Sequence, residues 1–219
     1  MKLLFLGNSY TYYNEMPELF EKLAQENGHS VHVFSVTCGG HKLCEYADGD
    51  DEYTQRIAEL IKAHSFDVCF LQEQSLLPVL DEECFRGAVN KLVTQLGESV
   101  KHFVLYATWG RKPGSAELEK HGWTSAEMTE LLKKAYQRAA DEIGADVSPV
   151  GVRFAEVRNA YPEIELYAPD LSHPSYVGSC LAALTHYRTV FGVLPESTDC
   201  LKLPKETIAV LCGVVNAQA

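Results

Sequence analysis

Lys2-Leu3-Leu4-Phe5-Leu6-Gly7-Asn8-Ser9-Tyr10-Thr11 opens the chain and decides its fold. A short apolar run without polar alternation reads as a strand buried on both faces. Gly7-Asn8-Ser9 then breaks the run. The spacing predicts a helix after it, capped by Asn14, carrying Met16, Leu19, Phe20 and Leu23 on one face and stopped at Gly28. A strand buried on both faces needs parallel neighbours and helices above and below it.

The rest of the chain repeats this alternation. Val31 to Val36 reads as a second strand, followed by Cys38-Gly39-Gly40-His41, and a helix near residues 52 to 64 presents Tyr53, Ile57, Leu60 and Ile61. Val68 to Leu71 is the third strand, followed by Gln72-Glu73-Gln74-Ser75. Asp81 caps a helix with the stripe Phe85, Ala88, Val89, Leu92 and Leu96, which Gly97 stops. His102 to Ala107 is the fourth strand, followed by Thr108-Trp109-Gly110, and the polar stretch Arg111 to Gly122 reads as a surface excursion. Thr124 and Glu127 have capping-box spacing ahead of Met128, Leu131, Leu132, Ala135, Tyr136 and Ala139. Asp146 to Val150 is the fifth strand, with a short helix after it. Pro174 suits the first turn of a helix bearing Val177, Leu181, Leu184 and Phe191, and a last helix lies near residues 205 to 215. The expectation is one domain over residues 1–219: a three-layer α/β/α sandwich on a five-stranded, mostly parallel sheet in flavodoxin-like order.

Composition excludes several partners. Nineteen Lys and Arg against thirty Asp and Glu give a formal charge of −11, with no basic run of five. Such a chain is poorly suited to a phosphate backbone or an anionic membrane, so no nucleic-acid or membrane partner is expected. The first apolar run is too short for a secretory signal, and no run nears the ~20 residues of a membrane span. Seven cysteines, an odd number without a Cys-x-x-Cys pair, read as reduced and mostly buried thiols of a cytoplasmic protein. Asp48-Gly49-Asp50-Asp51-Glu52 lacks the spacing of a calcium loop and reads as a solvated loop and helix start. His41, His121 and His186 have no metal-ligand spacing. No metal or cofactor is expected, and oligomeric state is not legible.

In parallel sheets, ligands bind beyond the carboxyl ends of the strands. Ser9, Gly39, Gly40, Gln74 and Trp109 all follow predicted strands, so the fold gathers them along one edge. Ser9 sits at a strand-to-helix turn, where backbone N–H groups favour developing negative charge. A hydroxyl needs a base held in the right tautomer by an acid. Asp170-Leu171-Ser172-His173 supplies both, spaced for one tight turn. Each segment also has a plain reading: a turn serine, a helix cap ahead of Pro174, glycine punctuation, a polar loop. Tyr10, Tyr12, Tyr13, Trp109 and Trp123 suit either a sugar-binding cleft or core packing.

Taken together, these blocks resemble the SGNH (GDSL-type) hydrolases. Gly7-Asn8-Ser9 resembles that family's first block, Gly40 its second and Asp170-Leu171-Ser172-His173 its last. Gln72-Glu73-Gln74-Ser75 falls where the third is expected, as in a subgroup of uncharacterised SGNH-like proteins with a Gln-Glu-Gln-Ser stretch. Asn8 stands where the family has Asp, and Gln74 where it has its oxyanion-binding Asn. The resemblance implies a serine esterase acting on a small-molecule or carbohydrate ester. Ser9 would be the nucleophile, His173 the base and Asp170 its partner, with Gly40 and Gln74 binding the oxyanion. Two other readings stay open: a flavodoxin-like module holding a phosphate or nucleotide at the Ser9 turn, and an SGNH fold that has lost catalysis.

Overall fold

The computed structural model describes residues 1–217, so the last two residues of the expected 1–219 unit lie outside it. Its centre is a five-stranded parallel sheet of β1 (Lys2–Gly7), β2 (His32–Thr37), β3 (Val68–Leu71), β4 (Phe103–Tyr106) and β5 (Asp146–Ser148), in the order β2-β1-β3-β4-β5. This is the flavodoxin-like order read from the sequence. The helices are α1 (Ser9–Tyr12), α2 (Met16–Glu26), α3 (Leu43–Asp48), α4 (Glu52–Ala63), α5 (Leu77–Leu80), α6 (Glu82–Leu96), α7 (Ala116–His121), α8 (Ser125–Ile143), α9 (Val150–Ala160), α10 (Tyr176–Phe191) and α11 (Lys205–Asn216).

The pleat of β1 divides the core. Leu3 and Phe5 join Phe70 and Tyr106 in a cluster with α2, α9, α10 and α11. Leu4 and Leu6 join Cys69, Leu71 and Leu105 in a second cluster with α3, α4, α6 and α8. Side chains that alternate in direction, all apolar, require cover on both faces. Phe5 and Phe70 stack at 4.5 Å between ring centroids, and each such buried side chain contributes about 1.5–3 kcal/mol. Helix α10 is buried continuously from Gly178 to Tyr187, so it is apolar around most of its circumference rather than striped.

Register brings the strand ends level. Gly7 pairs with Thr37, Leu6 with Leu71, Leu71 with Leu105, and Tyr106 with Ser148. The loops leaving β1, β2, β3 and β4 therefore emerge on one rim.

Several local expectations are corrected. Asn14 does not cap α2: it and Glu15 adopt left-handed backbone (φ 54° and 55°), forming a kink between α1 and α2. The Asn14 amide instead donates to Ser179 Oγ (2.9 Å) and the Pro174 carbonyl (3.2 Å), so it fastens the first loop to the late one. Asn8 is the cap that the first loop uses, accepting from Tyr10 N–H at 3.2 Å. The Arg111 to Gly122 excursion contains α7, with Leu118 buried. Pro174 lies before α10 rather than in its first turn; Ser175 is the cap and accepts from Gly178 N–H. The cysteines are all free, but only Cys69 and Cys180 are buried, the other five being half-buried. Asp51 caps α4 through Thr54 N–H, which accounts for part of the acidic loop.

Candidate active site

The loop after β1 is set by close packing. A Cβ at Gly7 would lie 2.4 Å from Thr11 Oγ1 and 2.7 Å from Gln72 Oε1, so only glycine fits there. Gln72 Oε1 accepts from Asn8 N–H (2.9 Å) and from the Thr11 hydroxyl (2.8 Å), which holds the start of α1 against the end of β3. Ser9 follows as the first residue of α1.

The late loop folds around its own aspartate. Asp170 Oδ1 accepts from Ser172 N–H (3.0 Å) and His173 N–H (2.9 Å), and Leu171 takes a left-handed conformation (φ 62°). Trp109 Nε1–H donates to the Ser172 carbonyl at 3.0 Å, and Lys112 N–H to the Leu171 carbonyl at 2.9 Å. Asp170 is thus a cap, but of its own turn. Its other oxygen, Oδ2, lies 2.5 Å from His173 Nδ1.

These two loops meet. Ser9 Oγ lies 2.7 Å from His173 Nε2, although 164 residues separate them in sequence. Burial raises the Asp170 carboxyl, but the hydrogen bonds from the His173 ring and from the backbone of His173 and Ser172 outweigh it and hold the group below its ordinary value. An ionised carboxylate only accepts, so Nδ1 is the donor in that pair. The Tyr13 ring stacks on the imidazole at 4.2 Å and 12°, fixing its plane.

Ser9, His173, Asp170, Gly40 and Gln74 all line one open cavity of about 330 Å³. These five are thereby brought to one cavity wall, whereas Gly39 and Trp109, which also follow predicted strands, do not line it. Gly40 has φ +74°, a conformation glycine adopts without strain. Gln74 Oε1 accepts from Leu76 N–H (2.8 Å) and Leu77 N–H (3.1 Å). Its carbonyl end is thereby occupied, which leaves the NH2 as the end offered to the cavity.

Of the aromatic residues, Tyr10 alone lines the cavity, and it is buried, stacked on Trp109 at 4.7 Å. Trp109 is core, stacked on Phe154 as well. Trp123 stacks on His121 away from the cavity.

Sequence reasoning missed the supporting roles of the third block. Beyond Gln72, Glu73 accepts from Leu43 N–H (3.1 Å) and Gln74 N–H (2.6 Å), tying the start of α3, and so the glycine loop before it, to the end of β3. Burial pushes the Glu73 carboxyl up to about 8 against the pull of those N–H groups. Asn8 Nδ2 donates to the His41 carbonyl at 2.8 Å, a bond that an aspartate there could not make. Arg111 also lines the cavity, donating from Nη2 to Ser75 Oγ at 3.1 Å. The available signal was a run of polar residues directly after a fully apolar strand.

No family model and no curated protein matches this chain. Solved structures do. A protein of Slackia heliotrinireducens assigned to the SGNH hydrolases shares 30% identity with a TM-score of 0.75, over 87% of this chain and 98% of that one. A DUF4886 family protein from Bacteroides uniformis superposes with a TM-score of 0.81 at 15% identity, over 98% of this chain and 93% of that one. Axe2, an acetylxylan esterase from Geobacillus stearothermophilus, has a TM-score of 0.65 at 16% identity, over 86% of this chain and 93% of that one. The first of these is similar enough to show the family, and the other two share the fold. The chain belongs to the SGNH hydrolases, and the phosphate-binding module considered above is set aside.

Proposed function

We propose that the chain hydrolyses a small acyl ester, an acetylated carbohydrate among the substrates to test, through an acyl-enzyme on Ser9. The observation that carries this reading is the series Ser9 Oγ–His173 Nε2 at 2.7 Å and His173 Nδ1–Asp170 Oδ2 at 2.5 Å on the wall of one cavity. Ser9 Oγ attacks the ester carbonyl as its proton passes to His173 Nε2. The tetrahedral oxyanion is held by the N–H groups of Ser9 and Gly40 and the Gln74 amide. The C–O bond to the alcohol then breaks, and the alcohol leaves with the proton from Nε2. Water adds to the acyl-enzyme by the same route, releasing the carboxylic acid and restoring the serine. Asp170 keeps its charge throughout and stabilises the imidazolium.

Two further points support the reading. No helix among the described residues is long and apolar enough to cross a membrane. Seven free cysteines fit a reducing compartment, which is why we place the activity in the cytoplasm. The test is covalent labelling with a fluorophosphonate probe and mapping of the adduct by mass spectrometry. Labelling at Ser9, lost in His173→Ala, is the expected outcome. An adduct elsewhere would remove Ser9 from the mechanism, and none would leave a catalytically degenerate member of the family.

A further inference from the structure

We propose that Arg111 is a specificity residue that binds a carboxylate carried by the ester, so that the site takes small anionic esters. This rests on the ester-hydrolase reading above and names its substrate class.

The loop after β4 holds Arg111 firmly. Gly110 N–H donates to Thr129 Oγ1 (3.2 Å), Arg111 N–H approaches Met128 Sδ (3.4 Å), and Lys112 N–H donates to the Leu171 carbonyl (2.9 Å). The backbone is pinned on both sides of the residue. The side chain reaches the cavity wall, where Ser75 Oγ takes one of its N–H groups. The buried Nε–H has no acceptor among the described residues.

Among the described residues no carboxylate neutralises its charge. Arg56, Arg86, Arg138 and Arg153 each meet a glutamate, while no carboxylate lies within 4.0 Å of Arg111 among the described residues. Arg158 and Arg188 also lack a carboxylate, but neither lines the cavity. Among the described residues the one carboxylate on the cavity wall, Asp170, is engaged with His173. A half-buried guanidinium without a counter-charge carries a desolvation cost that an anionic ligand offsets. Its planar fork fits a carboxylate better than it fits a lone serine hydroxyl.

Size narrows the ligand. At about 330 Å³ the cavity lies near the lower end of the ~300–1,000 Å³ usual for ligand sites. The scissile carbonyl over Ser9 and the anion on Arg111 must then belong to one small molecule. The chain's formal charge of −11 opposes an anion at long range, so recognition must act at contact. The carboxylate can sit on the acyl half or on the alcohol half.

The experiment compares 4-nitrophenyl acetate, mono-4-nitrophenyl succinate and 4-acetoxybenzoate, each anionic ester paired with its methyl ester. In the wild type, one anionic ester is expected to exceed its methyl ester in kcat/KM. In Arg111→Ala that preference should fall about 10- to 100-fold, whatever the variant does to the neutral ester, and Arg111→Lys should restore part of it. The ester that responds tells whether the acyl or the alcohol half carries the charge. Preferences that stay within about twofold in Arg111→Ala for both pairs overturn the proposal. Ser9→Ala allows the same question without turnover: the preferred anionic ester should raise its melting temperature, and should not in Ser9→Ala/Arg111→Ala. Fluorophosphonate labelling of the wild type reports on the esterase reading separately. Failure to label Ser9 sinks that reading, while equal heat stabilisation with and without Arg111 sinks this one.

Discussion

Ser9 Oγ and Ser148 Oγ each meet an imidazole nitrogen at 2.7 Å, Ser9 with His173 and Ser148 with His186. The two pairs share chemistry and distance and differ in everything else. The first lies on the rim of the sheet, on the wall of an open cavity, with a carboxylate behind the ring. The second is fully buried at the end of β5 against α10, surrounded by Phe5, Phe70 and Tyr106. No carboxylate orients His186, and its Nε2 has no partner among the described residues. Proximity of hydroxyl and imidazole therefore does not make a nucleophile. An ionised partner, access for substrate and donors for the oxyanion do.

The sharpest way to break this contrast is to remove each serine in turn. Ser9→Ala should lower kcat on short 4-nitrophenyl esters by ~10⁶-fold with the melting temperature held. Ser148→Ala should leave turnover within about twofold and cost about 1–3 kcal/mol, because it strands a buried ring nitrogen. Turnover lost in both variants, or in neither, would erase the distinction. Asp170→Asn asks whether the carboxylate is what separates the pairs. It should lower kcat by ~10⁴-fold, since an amide can hold the ring in the wrong tautomer. A loss under tenfold, measured with the same esters, would mean that His173 needs no acid.

Gln74→Glu tests the donors rather than the relay. Glutamate keeps the acceptor that Leu76 and Leu77 N–H share but replaces the NH2. A fall in kcat of about 10²–10³ with little change in melting temperature is expected. Unchanged kcat would mean that Gln74 does not bind the oxyanion.

The same contrast explains what could be read from the sequence. The rim is legible because strand ends are marked by a change from apolar to polar, as at Gly7-Asn8 and Leu71-Gln72. Parallel topology then forces those changes onto one edge, and Asp170 and His173 stand close enough together to suggest a turn. The roles of Gln72, Glu73 and Asn8 are not legible in the sequence, because each is defined by a partner segment: the start of α1 for Gln72, the start of α3 for Glu73, the His41 carbonyl for Asn8. Asn14 was misplaced for a related reason. Its side chain serves Ser179, far along the chain, rather than the helix two residues ahead. Arg111 was hidden inside a polar stretch whose composition suggested only solvent. His186 has no metal-ligand spacing in the sequence, and its burial depends on α10 being covered on most sides.

The buried pair should show itself in stability rather than rate. Burial pushes the His186 imidazole from an ordinary value of 6.5 down to about 3. Ser148 is its hydrogen-bond partner, and Tyr106, the titratable ring packed on it at 4.3 Å, is held neutral by burial well beyond its ordinary value. The unfolded chain takes up a proton as pH falls through 6.5, while the folded chain does so only near 3. The stability tied to this group is therefore complete above pH 6.5 and is lost as pH falls from there toward 3. Between pH 7 and pH 5 the loss from this one group should be roughly 2 kcal/mol in denaturant unfolding. His186→Asn keeps a polar atom near the Nδ1 position but has nothing to protonate. It should be less stable at pH 7, because it leaves a cavity, yet flatter toward acid by close to one proton. An acid slope equal to that of the wild type would mean that the imidazole can charge in place, and the second serine–histidine pair would then be closer in character to the first than its surroundings imply.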